Sequence, residues 1–175
     1  IADADAGQDF VQPQTNTRGA YGDFSIDANG NWTFTANSAY NSLAAGQQLS
    51  ESFTVTSLDG SGKGVVTITI NGVNDSPVIS SAASASVLEN GTVAYTPVPA
   101  TDVDAGTTLT YSLGGVDAAL FNINGSTGVV TFKTAPNFES PTDAGGNNVY
   151  DITVSASDGS LTTSQNVAIT VTNVN

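Results

Sequence analysis

The sequence predicts an all-β protein made of two tandem Greek-key β-sandwiches. Three observations carry that expectation. Val, Ile, Thr, Phe and Tyr recur in short runs separated by clusters of Gly, Asn, Asp and Ser, the composition of half-buried strands punctuated by turns. No segment shows apolar residues at helical spacing. A series of four blocks occurs twice in the same order, roughly 100 residues apart, and 175 residues are enough for two small domains.

The repeat is read from its blocks. Asp3-Ala4-Asp5-Ala6-Gly7 returns 99 residues later as Asp102-Val103-Asp104-Ala105-Gly106. Phe24-Ser25-Ile26 and Trp32-Thr33-Phe34, with Gly30 between them, return as Phe121-Asn122-Ile123 and Val130-Thr131-Phe132 around Gly128, at offsets of 97 to 98. Phe53 to Gly60 returns as Ile152 to Gly159 at 99, and Ile68-Thr69-Ile70 returns as Ile169-Thr170-Val171 at 101. The first repeat therefore covers residues 1–75 and the second 76–175. Between them Val73-Asn74-Asp75-Ser76-Pro77 forms a connection of a few residues, where Pro77 ends ladder pairing.

Element by element, Phe24, Ile26, Trp32 and Phe34 alternate along strands and are expected to line the first core; that alternation assigns Trp32 to the core rather than to a sugar-binding platform. In the second repeat, period-two runs at Val93–Tyr95, Leu109–Leu113, Val129–Phe132, Val149–Ala156 and Val167–Val171 read as strands. Asn90-Gly91 and Asn124-Gly125 read as tight turns. Tyr150, Ile152, Val154 and Ala156 should point inward, with Asp151 and Thr153 outward. About seven short strands at this spacing suggest a Greek-key sandwich of immunoglobulin type.

Composition removes whole classes of function. Sixteen acidic residues stand against three basic ones, Arg18, Lys63 and Lys133, for a net charge of −13, so nucleic acid and anionic membrane surfaces are repelled. Without Cys there are no disulfides or thiolate metal sites, and without His there is no ordinary neutral-pH base or transition-metal ligand. Carboxylates and other oxygen donors remain, which select hard cations such as calcium. No apolar run of about 18 residues is present, and Ile1-Ala2-Asp3 is not a basic leader, so membrane insertion is not expected. The chain reads as an internal fragment whose first repeat lacks about 20 residues that the second one has.

Asp102 and Asp104 are two apart and Asp158 ends a long run before Gly159, all at chain reversals. Carboxylates gathered at one end of a sandwich repel one another unless a cation takes up their charge. Here the motifs resemble known families. Leu88-Glu89-Asn90, Asp102-Val103-Asp104, Asn137-Phe138-Glu139 and Asp158 resemble the motifs of cadherin-like domains, and Val73 to Pro77 resembles the connection that joins successive cadherin repeats. Gly22 to Phe34 and Ile68 to Pro77 are similar to VCBS repeats of large bacterial surface proteins.

These resemblances imply calcium as cofactor, with a junction site of Asn74, Asp75, Asp102, Asp104 and Asp158. They imply an N-terminal half-site of Asp3, Asp5 and Asp59, and a C-terminal half-site of Glu89, Glu139 and Asp143. The counterpart of the mid-domain acidic motif in the first repeat is about Ala39-Tyr40-Asn41, without Glu, so one junction ion is expected rather than three. The resemblance also implies a rod of repeats in an RTX-type adhesin, exported by type I secretion to the bacterial surface and stiffened by calcium for adhesion or biofilm formation. Its partners would be neighbouring repeats and host or biofilm surface ligands.

The residues admit two other readings. A carbohydrate- or peptide-binding module would use a loop such as Gly114–Ala119 or Thr142–Asn148, and would show exposed aromatics beside acidic or amide groups. An enzyme using Glu89 and Glu139 as an acid pair is disfavoured, because no nucleophile elbow or HExxH occurs and Gly60-Ser61-Gly62-Lys63-Gly64 is no phosphate-binding loop.

Overall fold

The computed structural model describes residues 10–174. The chain divides into two compact units, Ile1–Val73 and Asn74–Asn175. Both are all-β, and among the described residues the only helical element is one 3-10 turn at Ala118–Leu120.

In the first unit, β1 (Gln14–Arg18), β2 (Gly22–Ile26) and β3 (Trp32–Ala36) form an antiparallel sheet in the order β1-β2-β3. β4 (Gln48–Thr56) and β5 (Lys63–Asn71) form a nine-residue-deep hairpin. Alternation makes one face of β2 to β5 apolar, and those faces meet, with Val11 before β1, in a core of Val11, Phe24, Ile26, Phe53 and Val55. The rings of Phe24 and Phe53 stack at 4.6 Å.

Trp32 departs from expectation. It sits opposite Ile26 in the register, but half its surface (50%) is open to solvent. The cause is its strand: β3 lies at the sheet edge among the described residues, so only the Phe24 side of the indole is packed, at 6.2 Å.

In the second unit, β6 (Ser84–Leu88), β8 (Thr110–Gly114), β11 (Val149–Ser157) and β12 (Thr162–Thr172) make a sheet ordered β6-β12-β11-β8. β6 runs parallel to β12, whereas β11 pairs antiparallel with both its neighbours. β7 (Val93–Tyr95), β10 (Val130–Phe132) and β9 (Phe121–Ile123) make the second sheet in that order. Tyr150, Ile152, Val154 and Ala156 point inward from β11, and Val167, Ile169 and Val171 from β12. Their partners across the sandwich include Phe121, Val130 and Phe132, with Tyr150 edge-on to both phenylalanine rings.

The repeat is visible in the register itself. Phe24 pairs with Phe34 and Ile26 with Trp32; Phe121 pairs with Phe132 and Ile123 with Val130. The Asn90-Gly91 turn forms with Asn90 at φ 66°, a conformation Asn tolerates better than most residues, and Gly91 donates its N–H to the Leu88 carbonyl.

Candidate functional site

The incoming segment and two chain reversals of the second unit carry the predicted junction residues. Asn74 and Asp75 lie on the incoming segment, Asp102 and Asp104 between β7 and β8, and Asp158 just after β11. Asp102 folds its own loop, its Oδ1 accepting the Asp104 N–H at 2.9 Å. Asp104, only 4% exposed, accepts the Asp75 N–H through Oδ2 at 2.9 Å. Asn74 donates from Nδ2 to Asp158 Oδ2 at 2.8 Å and to its neighbour's carbonyl at 3.0 Å. The incoming strand is thus tied to the sandwich by two carboxylates.

Asp158 is held ionised by its donors. The Leu161 amide, the Asn74 side chain and the Ser160 amide together hold its carboxyl below the usual carboxylate range. Asp102 Oδ2 and Asp104 Oδ1 are buried with no hydrogen-bond partner. Unpaired buried carboxylate oxygens are costly, and two of them on residues two apart match what a hard cation needs. Asn74 Oδ1 remains as a further oxygen donor, since its Nδ2 is committed to Asp158.

Among the described residues no three Asp, Glu, His or Cys side chains converge at metal-holding spacing. The direct carboxylate pair is therefore Asp102 and Asp104, and the rest of a six- to eight-oxygen shell would come from Asn74, backbone oxygens or water.

The other predicted residues are placed differently. At the opposite end of the second unit, Glu89 is 6% exposed and accepts N–H groups from Phe138 and Val174, both at 3.1 Å. Glu139 accepts from the Asn173 side chain at 2.9 Å. Asp143 spends both oxygens on its own loop, accepting the Asn147 and Asn148 amides. Asp59 closes the β4–β5 turn by accepting from the Ser57 hydroxyl and from the Ser61 amide and hydroxyl, which lowers its pKa to about 2. Asp3 and Asp5 lie outside the described residues.

Asp117 was not anticipated. It is buried, and its two oxygens accept the Ala144 and Asp151 amides at 2.8 and 2.7 Å, pinning the 142–148 loop to β11. A lone Asp outside any repeated block carries no signal of that role.

Residues 1–72 match the family described as bacterial cadherin-like domain, on the half of the chain whose motifs resemble VCBS repeats. No curated protein sequence matches the chain. Among solved structures, mouse Cadherin-23 EC22-24 is similar at a TM-score of 0.59 and 21% identity, over 98% of this chain and 56% of that one. The extracellular cadherin domains 1-4 of Protocadherin Gamma B7 are similar at 0.56 and 21%, over 95% and 43%. The chain thus spans about half the length of these neighbours. Residues 1–72 are thus similar to the bacterial cadherin-like domain family, and along its length the chain shares the β-sandwich fold of the cadherin structures.

Proposed function

We propose that the chain is a calcium-binding structural repeat region of a secreted bacterial surface adhesin, non-enzymatic, with its ion held by the Asp102 and Asp104 carboxylates and Asn74, and with Asp75 and Asp158 positioning the incoming segment beside it. The observation that carries the reading is the pair of buried, unpartnered oxygens on Asp102 and Asp104 beside the incoming segment. Bound calcium would supply the positive charge that these oxygens lack. Asp104 fixes the Asp75 backbone, and Asp158 fixes the Asn74 side chain. A segment held at both residues loses freedom at the connection to the preceding repeat, so repeats in series stiffen. The VCBS and cadherin-like motifs of the sequence support an RTX-type adhesin exported by type I secretion, in which the rod serves adhesion or biofilm formation. Extracellular modules bind calcium at about 0.1 to 1 mM, so the site would fill outside the cell.

Calorimetric titration with calcium and thermal melts in calcium and in chelator test this reading. The expected result is saturable binding and stabilisation of about 2.7 kcal/mol at a hundredfold excess over the dissociation constant, both lost in Asp104→Asn. No heat of binding and identical melts would sink it.

A further inference from the structure

The second unit carries one basic residue, Lys133, among nine acidic ones, yet no carboxylate holds it. Among the described residues the only ion pair joins Arg18 to Asp23. The Lys133 ammonium donates instead to the Ala119 carbonyl at 2.7 Å, which leaves two of its three N–H groups without a protein acceptor. The repeat does not require a cation at this place. Phe132 answers Phe34, so the counterpart of Lys133 is Thr35, an ordinary residue of β3.

The ammonium stands beside a cleft of about 510 Å³ within the second unit. Buried Phe132 and Pro136 and half-buried Leu120 give the cleft an apolar floor, and exposed Ser140 and Thr142 stand at its rim with Lys133. No Asp or Glu lines it. The acids closest in sequence are committed elsewhere: Glu139 accepts from the Asn173 side chain, and Asp117 and Asp143 each give both oxygens to backbone amides. More distant carboxylates are screened beyond about 8 Å at physiological ionic strength.

The walls are fixed in advance. The Lys133 amide donates to the Leu120 carbonyl at 2.9 Å, and the Thr142 amide donates to the hydroxyl of buried Tyr150 at 3.3 Å. Asp117, by accepting the Ala144 and Asp151 amides, ties the 3-10 turn on one side of the cleft to the 142–148 loop on the other. A cleft formed before its ligand arrives loses little affinity to ordering.

We propose that this cleft binds a carboxylate carried on a compact apolar body, with the anion paired to Lys133 and the apolar group lying over Leu120, Phe132 and Pro136. One positioned cation beside hydroxyls and an apolar floor complements that combination. A neutral sugar finds no exposed aromatic ring there to stack on. Two sources carry the same chemistry, the C-terminal residue of a peptide and a free branched-chain carboxylic acid.

The test is an amide chemical-shift titration of the chain with acetyl-glycyl-leucine, its C-terminal amide and 4-methylpentanoate. Excess chelator is present throughout, so that no carboxylate enters through a metal at Asp102 and Asp104. The expected result is saturable movement of the Leu120, Lys133 and Ser140 amides with a free carboxylate, weakened tenfold or more for the amide and in Lys133→Gln, and retained in Lys133→Arg. Because Lys133→Gln also removes the bond to Ala119, a second variant is Ala119→Trp, which fills the cleft and leaves the charge in place; it should abolish binding while the amide spectrum stays dispersed. Binding of the dipeptide alone supports the site with a peptide terminus as its source, and binding of the free acid supports it with a small acid. No saturable shift at millimolar ligand, equal binding of the amide, or binding unchanged in both Lys133→Gln and Ala119→Trp would overturn the proposal.

Discussion

At the scale of single residues, the two Asp-Gly turns show how one carboxylate can fix a hairpin. Asp59 takes three hydrogen bonds from Ser57 and Ser61, and Asp158 takes two from Ser160 and Leu161. Each oxygen shared this way favours the ionised form, which puts the Asp59 pKa at about 2 against roughly 3.9 in an unfolded chain. A folded pKa below the unfolded one contributes stability that is complete above about pH 4 and is lost as pH falls toward 2. Asp59→Asn should therefore lower the first unit's melting temperature at pH 6, and the gap to the native chain should close by about pH 2. Melts of both proteins across that range check it; a gap that stays constant would show that the ionised form plays no part.

Residue-scale legibility was uneven. The placement of Asp102, Asp104 and Asp158 in loops was readable because the spacing Asp-x-Asp and Asp-Gly recurs in both repeats. Asp117 was not, since a lone carboxylate that accepts two distant amides is defined by the fold around it.

At the scale of elements, alternation was legible where both faces of a strand differ in character. β11 reads Tyr-Asp-Ile-Thr-Val-Ser-Ala from residue 150, and the structure buries its first, third, fifth and seventh members. β6 escaped notice because Ser84-Ala85-Ser86-Val87 has little apolar contrast, and its place depends on β12 beside it. Trp32 was misread for the complementary reason: its strand alternates correctly, but burial needs a second layer or neighbouring strand that the pattern does not encode.

The same contrast sets mutational cost. Ile169→Ala should destabilise the second unit by about 2 to 5 kcal/mol, as for other large-to-small changes at fully packed sites. Ile68→Ala, at the equivalent but half-buried position, should cost the first unit distinctly less, because its side chain retains solvent contact in the folded state. Urea denaturation of each variant measures both, and equal losses would mean that the β5 face is as well covered as the β12 face.

At the scale of the whole molecule, the two cores predict an order of unfolding. The described core of the first unit comprises Val11, Phe24, Ile26, Phe53 and Val55, against twelve buried apolar residues described in the second, Tyr150, Phe121 and Phe132 among them. Stabilisation from burial grows with the apolar area removed from water, so the first unit should melt at the lower temperature. Trp32 is the only tryptophan, and it lies in the first unit beside Phe24, so its emission reports that unit alone. Calorimetry should show two transitions, the lower one coinciding with the red shift of Trp32 emission. Calcium bound as proposed at Asp102 and Asp104 would stabilise the folded second unit and should raise the upper transition. A single transition, with Trp32 emission changing together with all the heat, would mean that the units unfold as one cooperative block and that calcium stabilises both through the Asn74–Asp75 connection.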